Sequence, residues 1–131
     1  MTLRCERAPE LAALALLLAA AGCATPPPAG RYDPKLVRDH AMSPYVAHEE
    51  CLRATAGERV EYYFTSTFPI DFSIRYREGG AVVMPIARGQ TLEDSAVFTA
   101  RIPHEYCLVW EAGPTGATIG YGLRLRPAVG Q

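Results

Sequence analysis

The sequence predicts an all-β fold, an antiparallel β-sandwich of about seven strands over residues 49–127. Three observations carry the prediction. Apolar and polar residues alternate with a period of two, most cleanly where Ile70, Phe72, Ile74 and Tyr76 interleave with Asp71, Ser73, Arg75 and Arg77. Short runs of β-branched and aromatic residues are punctuated by Gly and Pro. No helical pattern separates these runs, which disfavours parallel βαβ units.

Glu50 to Ala54 reads as a first strand, ending at the turn Ala56-Gly57-Glu58. A second follows, with Val60, Tyr62 and Phe64 on one face; Pro69 breaks the run before the third, Ile70 to Arg77. Glu78-Gly79-Gly80 is a hairpin signal. Ala81 to Ala87 is a fourth strand, and Pro85, with no N–H to donate, assigns it to an edge or a bulge. Ser95 to Ile102, Glu105 to Glu111 and Thr118 to Arg126 complete the set. The expected core is Phe64, Phe72, Ile74, Phe98, Leu108, Trp110, Tyr121 and Leu123. Upstream, Asp33-Pro34 offers an N-cap and a first-turn proline for a short helix reaching His40, within an irregular stretch over 23–48. Residues 128–131 are a tail.

The amino-terminal segment has another character. Leu11 to Ala21 (LAALALLLAAA) is uncharged and too short to span a bilayer, which takes about 20 apolar residues. With Arg4 and Arg7 before it, it reads as the apolar region of a signal peptide over residues 1–22, although Glu6 and Glu10 dilute the positive charge. The alternative is a buried helix, against which the lack of a polar face counts. The run closes on Ala20-Ala21-Gly22-Cys23, which resembles the lipobox of bacterial lipoproteins, with Ala20 where that family prefers leucine. The resemblance implies cleavage before Cys23 and acylation of that cysteine; the alternative is ordinary cleavage that leaves a free thiol. Ala24 in place of Asp after the cysteine implies the outer membrane, facing the periplasm. Three prolines, Pro26 to Pro28, then favour an extended tether.

The four cysteines divide accordingly. Cys5 leaves with the signal peptide and Cys23 takes the lipid. Cys51 and Cys107 remain, an even pair that favours a disulfide in an oxidising compartment. The competing reading, a redox or metal-binding thiol pair, lacks the C-x-x-C spacing.

From Cys51 to Leu125 the order of features resembles the GOLD domain, the β-sandwich in the lumenal part of secretory cargo proteins, and more closely its small bacterial relatives. The matching positions are Cys51, Ala56-Gly57-Glu58 before Val60, Asp71 to Gly79, and Glu105 to Trp110. The resemblance implies that Cys51 and Cys107 can be bridged, and that the module binds or organises other proteins rather than catalysing. The chain departs from it at Arg75 and Arg77, where bacterial relatives often carry histidines. Guanidinium groups do not coordinate metals, but two on one strand face suit a carboxylate, a phosphate or a protein partner. The alternative is a solvated face paired with neighbouring acids.

Other chemistry finds little support. A net charge of −1 gives no basis for binding nucleic acid. His48, Glu49 and His104 are of types that hold zinc or copper, but their spacing matches no closed-site motif, and exposed polar loops are the plainer reading. No Gly-x-Ser-x-Gly elbow and no phosphate-cradling glycine loop is present. The expectation is a non-catalytic, cofactor-free, lipid-anchored envelope protein whose β-sandwich binds another envelope protein. The alternative is a periplasmic protein that binds a metal or a small anion.

Overall fold

The computed structural model describes residues 30–130. The Leu11–Ala21 run, Cys23 with its lipobox-like neighbours, and Pro26 to Pro28 lie outside the described residues.

The described chain forms six strands and no helix: β1 (Lys35–Met42), β2 (Ala47–Ala54), β3 (Arg59–Glu78), β4 (Ala81–Thr99), β5 (His104–Ala112) and β6 (Ala117–Arg126). All pairings are antiparallel, in the order β1-β6-β3-β5-β2, with β4 also on β3. The all-β, sandwich-like architecture follows from the length of β3 and β4. The first half of β3 pairs with β6, from Arg59↔Arg126 to Ser66↔Ile119. Its second half pairs with β5, from Ile70↔Ala112 to Arg75↔Cys107. The sheet therefore curls over on the β3–β4 hairpin and its two halves close on one core.

Two mergers reduce the expected seven strands to five, and the unexpected β1 brings the number to six. The runs on either side of Pro69 are one strand, because Pro69 sits in the crossover where β3 passes from one half of the sheet to the other. There the register with β4 jumps from Thr65↔Glu93 to Ile70↔Thr91. Likewise the runs at Ala81 and Ser95 join into β4, which crosses at Gly89 to Leu92 and ends at Thr99 rather than Ile102. Pro85 lies where the β3–β4 register slips between Ile74↔Ile86 and Tyr76↔Val83, on a strand whose only described partner is β3.

The expected helix from Asp33 to His40 is a correction: this stretch is mostly strand β1. Its register on β6 runs Val37↔Tyr121, then His40↔Ile119, so β1 holds one more residue than its partner. Asp39, at φ 53°, carries the bulge. Consequently Val37, His40 and Met42 share the interior side at spacings of three and two, and the first spacing imitates a helical turn. The domain thus begins well before residue 49, and β2 starts at Ala47 rather than Glu50.

Alternation puts Val60, Tyr62, Phe64, Ile70, Phe72 and Ile74 of β3 against Tyr106, Leu108, Trp110, Ile119 and Tyr121. Phe72 is the hub: its ring lies 4.9 Å from Tyr62, 4.7 Å from Phe64 and 5.5 Å from Trp110. Trp110 in turn stacks on Tyr121 at 4.3 Å. Of the expected core, Phe98 and Leu123 are only partly buried, at its margin. Val109 and Ser73, which alternation assigns to the opposite face, are also buried.

The strand directions give the domain two ends. At one, the chain enters at Arg31, beside the β2–β3 turn and the end of β6. At the other, the β1–β2 and β5–β6 loops meet: the amide of Tyr45 donates to the carbonyl of Gly113 at 3.1 Å. The Pro69 crossover joins them there, 3.9 Å from the Cβ position of Gly113. About eight residues of strand, or roughly 25 Å, separate the two ends.

Candidate functional site

A polar cluster lies in the seam where β1 approaches β2 across the core. His48 and Glu50 of β2 point inward, as alternation requires of residues two apart. His40 and Lys35 of β1 approach them. The imidazoles of His40 and His48 are 3.9 Å apart between centroids. Beneath His48, Trp110 stacks at 5.8 Å and Tyr121 tilts at 5.5 Å.

A hydrogen-bond chain orders the cluster. The Tyr121 hydroxyl donates to Glu50 Oε1 at 2.6 Å, and Lys35 Nζ reaches the same oxygen at 2.6 Å. His48 Nε2 lies 2.8 Å from the Tyr121 oxygen. A hydroxyl has one proton, and Glu50 takes it, so His48 is the donor in the second bond. This selects the Nε2–H tautomer and leaves the lone pair of His48 on Nδ1.

The electrostatics agree. Burial lowers the pKa of His48, and the neighbouring His40 and Lys35 lower it further against an opposing pull from Glu50. Burial would raise the Glu50 carboxyl, but hydrogen bonds from Lys35 and Tyr121 prevail and hold it below the usual carboxylate range. Burial and the adjacent Glu50 push the Tyr121 phenol up. The seam thus presents neutral imidazole beside an ion pair that cancels its own charge.

The sequence-predicted residues fall elsewhere. Cys51 and Cys107 face each other on β2 and β5 with their sulfurs 2.06 Å apart, a disulfide on the outer face of the sheet. Arg75 pairs with Cys107 along the ladder and shares that face. Its guanidinium is engaged, donating to Ser73 Oγ at 2.7 Å and Glu111 Oε2 at 3.0 Å. Arg75 and Arg77 line a groove of about 280 Å³ together with Glu49, Glu105, His104 and Cys107, so acids offset the cations there.

The suggested metal set of His48, Glu49 and His104 does not converge. His48 and Glu49 are consecutive strand residues and point to opposite faces. His104 pairs with Ala54, six positions along the ladder from the pairing of His48 with Trp110. The partner that His48 does acquire is His40. Sequence reasoning missed it because the β1 bulge disguised which residues face inward.

Glu58 was also missed as a functional position, although it stands in the Ala56-Gly57-Glu58 turn. It is 3% exposed and gathers five donors from two segments. Arg31 reaches both of its oxygens, at 3.2 Å from Nε to Oε2 and by a shorter contact from Nη2 to Oε1. Tyr32 donates its hydroxyl at 2.8 Å, and Thr55 its amide and hydroxyl at 2.7 Å each. The Arg31 guanidinium, opposed by burial and helped by Thr55 and Tyr32, holds the Glu58 carboxyl at about 2. Its role is to pin the incoming chain onto the β2–β3 turn.

Comparison with known proteins supplies no assignment: no family model matches the sequence, and no similar chain is found among curated proteins.

Proposed function

We propose that this chain is a lipid-anchored protein of the bacterial envelope, held through Cys23, whose GOLD-like β-domain is a non-catalytic module that binds another envelope protein. The observation that carries this reading is a set of exposed apolar side chains on the loops and crossovers at the end of the domain opposite Arg31. Tyr45 (77% exposed), Val46, Phe68 and Leu92 cluster on the loops and crossovers of one end. The chain enters the domain at the other end, where Glu58 fixes Arg31 and Tyr32. Exposed tyrosine, valine, phenylalanine and leucine side chains on neighbouring loops suit a protein partner. Exposed apolar residues gathered on one surface mark interaction sites. The Arg75/Arg77 face is the weaker candidate because Glu111 and Ser73 already engage Arg75.

The experiment has two arms. Metabolic labelling with palmitate is expected to mark the wild type and not Cys23→Ser. A photo-crosslinking amino acid at position 68 is expected to capture one defined envelope protein, and the same probe at position 61 none. Unlabelled wild type refutes the anchor; equal capture from both positions refutes the binding end.

A further inference from the structure

We propose that His40 and His48, with Met42 as the third donor, form a copper-binding site in the seam between β1 and β2. The two imidazoles come from different strands and lie 3.9 Å apart between ring centroids at an interplanar angle of 35°, so an ion taking a nitrogen from each requires the two rings to swing apart. Met42 is two residues beyond His40 on the same interior side, in register with Ala117 as His40 is with Ile119, and is 5% exposed. The proposed donors are two imidazoles and, from strand position alone, a thioether. Imidazole suits copper(II), which heads the affinity order of divalent ions at nitrogen sites, and a thioether adds a soft donor that favours copper in its copper(I) state.

The surroundings are those of a ligand set. A metal-binding histidine ordinarily donates its second ring N–H to a carboxylate or an oxygen, which fixes the tautomer and raises its basicity. His48 does this through Tyr121 to Glu50. The ammonium of Lys35 is neutralised by the same Glu50, so it does not repel an arriving cation. The rival set of metal-binding types, Glu49 with Cys51 and Cys107, has both sulfurs committed to the disulfide and offers no thiolate. The site does not rest on the partner-binding reading, although Met42 borders the loop that carries Tyr45 and Val46.

Trp110, the only tryptophan of the chain, stacks 5.8 Å from His48 and serves as the reporter. The full chain in detergent is titrated with copper(II) salt, following tryptophan fluorescence and the nitrogen hyperfine pattern of the copper resonance. Expected is saturable quenching complete at one equivalent, with coupling to two imidazole nitrogens. His40→Ala and His48→Ala should each weaken the event at least tenfold, while His104→Ala leaves it unchanged. Tyr121→Phe, which frees the tautomer, should weaken it about ten- to a hundredfold and keep the two-nitrogen pattern. Copper taken up by thiols elsewhere in the chain does not produce that pattern. Quenching that never saturates, that survives loss of either histidine in a folded variant, or that lacks two-nitrogen coupling in the wild type overturns the proposal. The last readout needs no variant, so a misfolded mutant leaves the test intact.

Discussion

His48 Nε2 and the Tyr121 hydroxyl, 2.8 Å apart, join β2 to β6 across the core, binding two strands that share no ladder. The hydroxyl also serves Glu50, so its removal leaves two half-buried groups short of a partner. Tyr121→Phe is expected to destabilise the domain by about 1–3 kcal/mol, measured as a lower urea midpoint with an unchanged slope. Tyr63→Phe, whose ring is half exposed on the outer face, should stay within about 0.5 kcal/mol.

Glu58 makes the domain sensitive to acid. Its carboxyl titrates near 2 in the folded chain and in the ordinary glutamate range when unfolded, so the unfolded state binds the proton first. The stability it contributes is present in full above the ordinary glutamate value and is lost as pH falls toward about 2. Glu58→Gln is expected to cost about 1–3 kcal/mol at neutral pH. The gap between variant and wild type should narrow steadily below about pH 4.5, in thermal melts recorded across that range.

The disulfide links residues 56 apart in sequence, and closing so long a loop in the unfolded chain is worth about 4 kcal/mol on the chain-entropy account. Because Cys51 is exposed and Cys107 only half-buried, replacing both with serine opens no cavity in the core. The double variant is expected to fold to the same far-ultraviolet spectrum and to unfold at a lower denaturant concentration by about that energy. Reductant should shift the wild type to match it and leave the variant unmoved.

Gly116 should be the least replaceable glycine of the apolar end. Its φ is +70°, and an added Cβ would stand 2.6 Å from the Met42 carbonyl oxygen and 3.3 Å from the Pro44 nitrogen. Both are backbone atoms that cannot swing aside. Gly116→Ala is expected to cost roughly 2 kcal/mol or more. Gly80→Ala, at φ +84° but with open space around its Cβ, should cost about 1 kcal/mol. Chemical denaturation of the two variants side by side checks the difference.

Much of the architecture was legible because strand alternation is a local property. Ile70, Phe72 and Ile74 announce their buried face without reference to any partner, and the same holds for Tyr106, Leu108 and Trp110. Pro69 misled for an equally physical reason. A proline is read as the end of a ladder, yet at a crossover the chain leaves one half of the sheet and no N–H is required at that position, so β3 continues through it. The cysteine pair was legible from the count and chemistry of the cysteines, and the His40–His48 pair was not. Its two members are eight residues apart on strands that never pair with each other, one of them displaced by a bulge.

The sequence by itself determined the all-β class, most of the buried side chains, the hairpin at Gly79-Gly80 and the partnership of the last two cysteines. Each depends on residue type and short-range spacing. Only the tertiary structure decided that β3 and β4 each serve both halves of the sheet, that residues 35–42 form a strand, and that two histidines meet over Trp110. Those outcomes arise from closing a curled sheet around one core, where distant segments compete for the same interior space and the winners are set by packing rather than by neighbours along the chain.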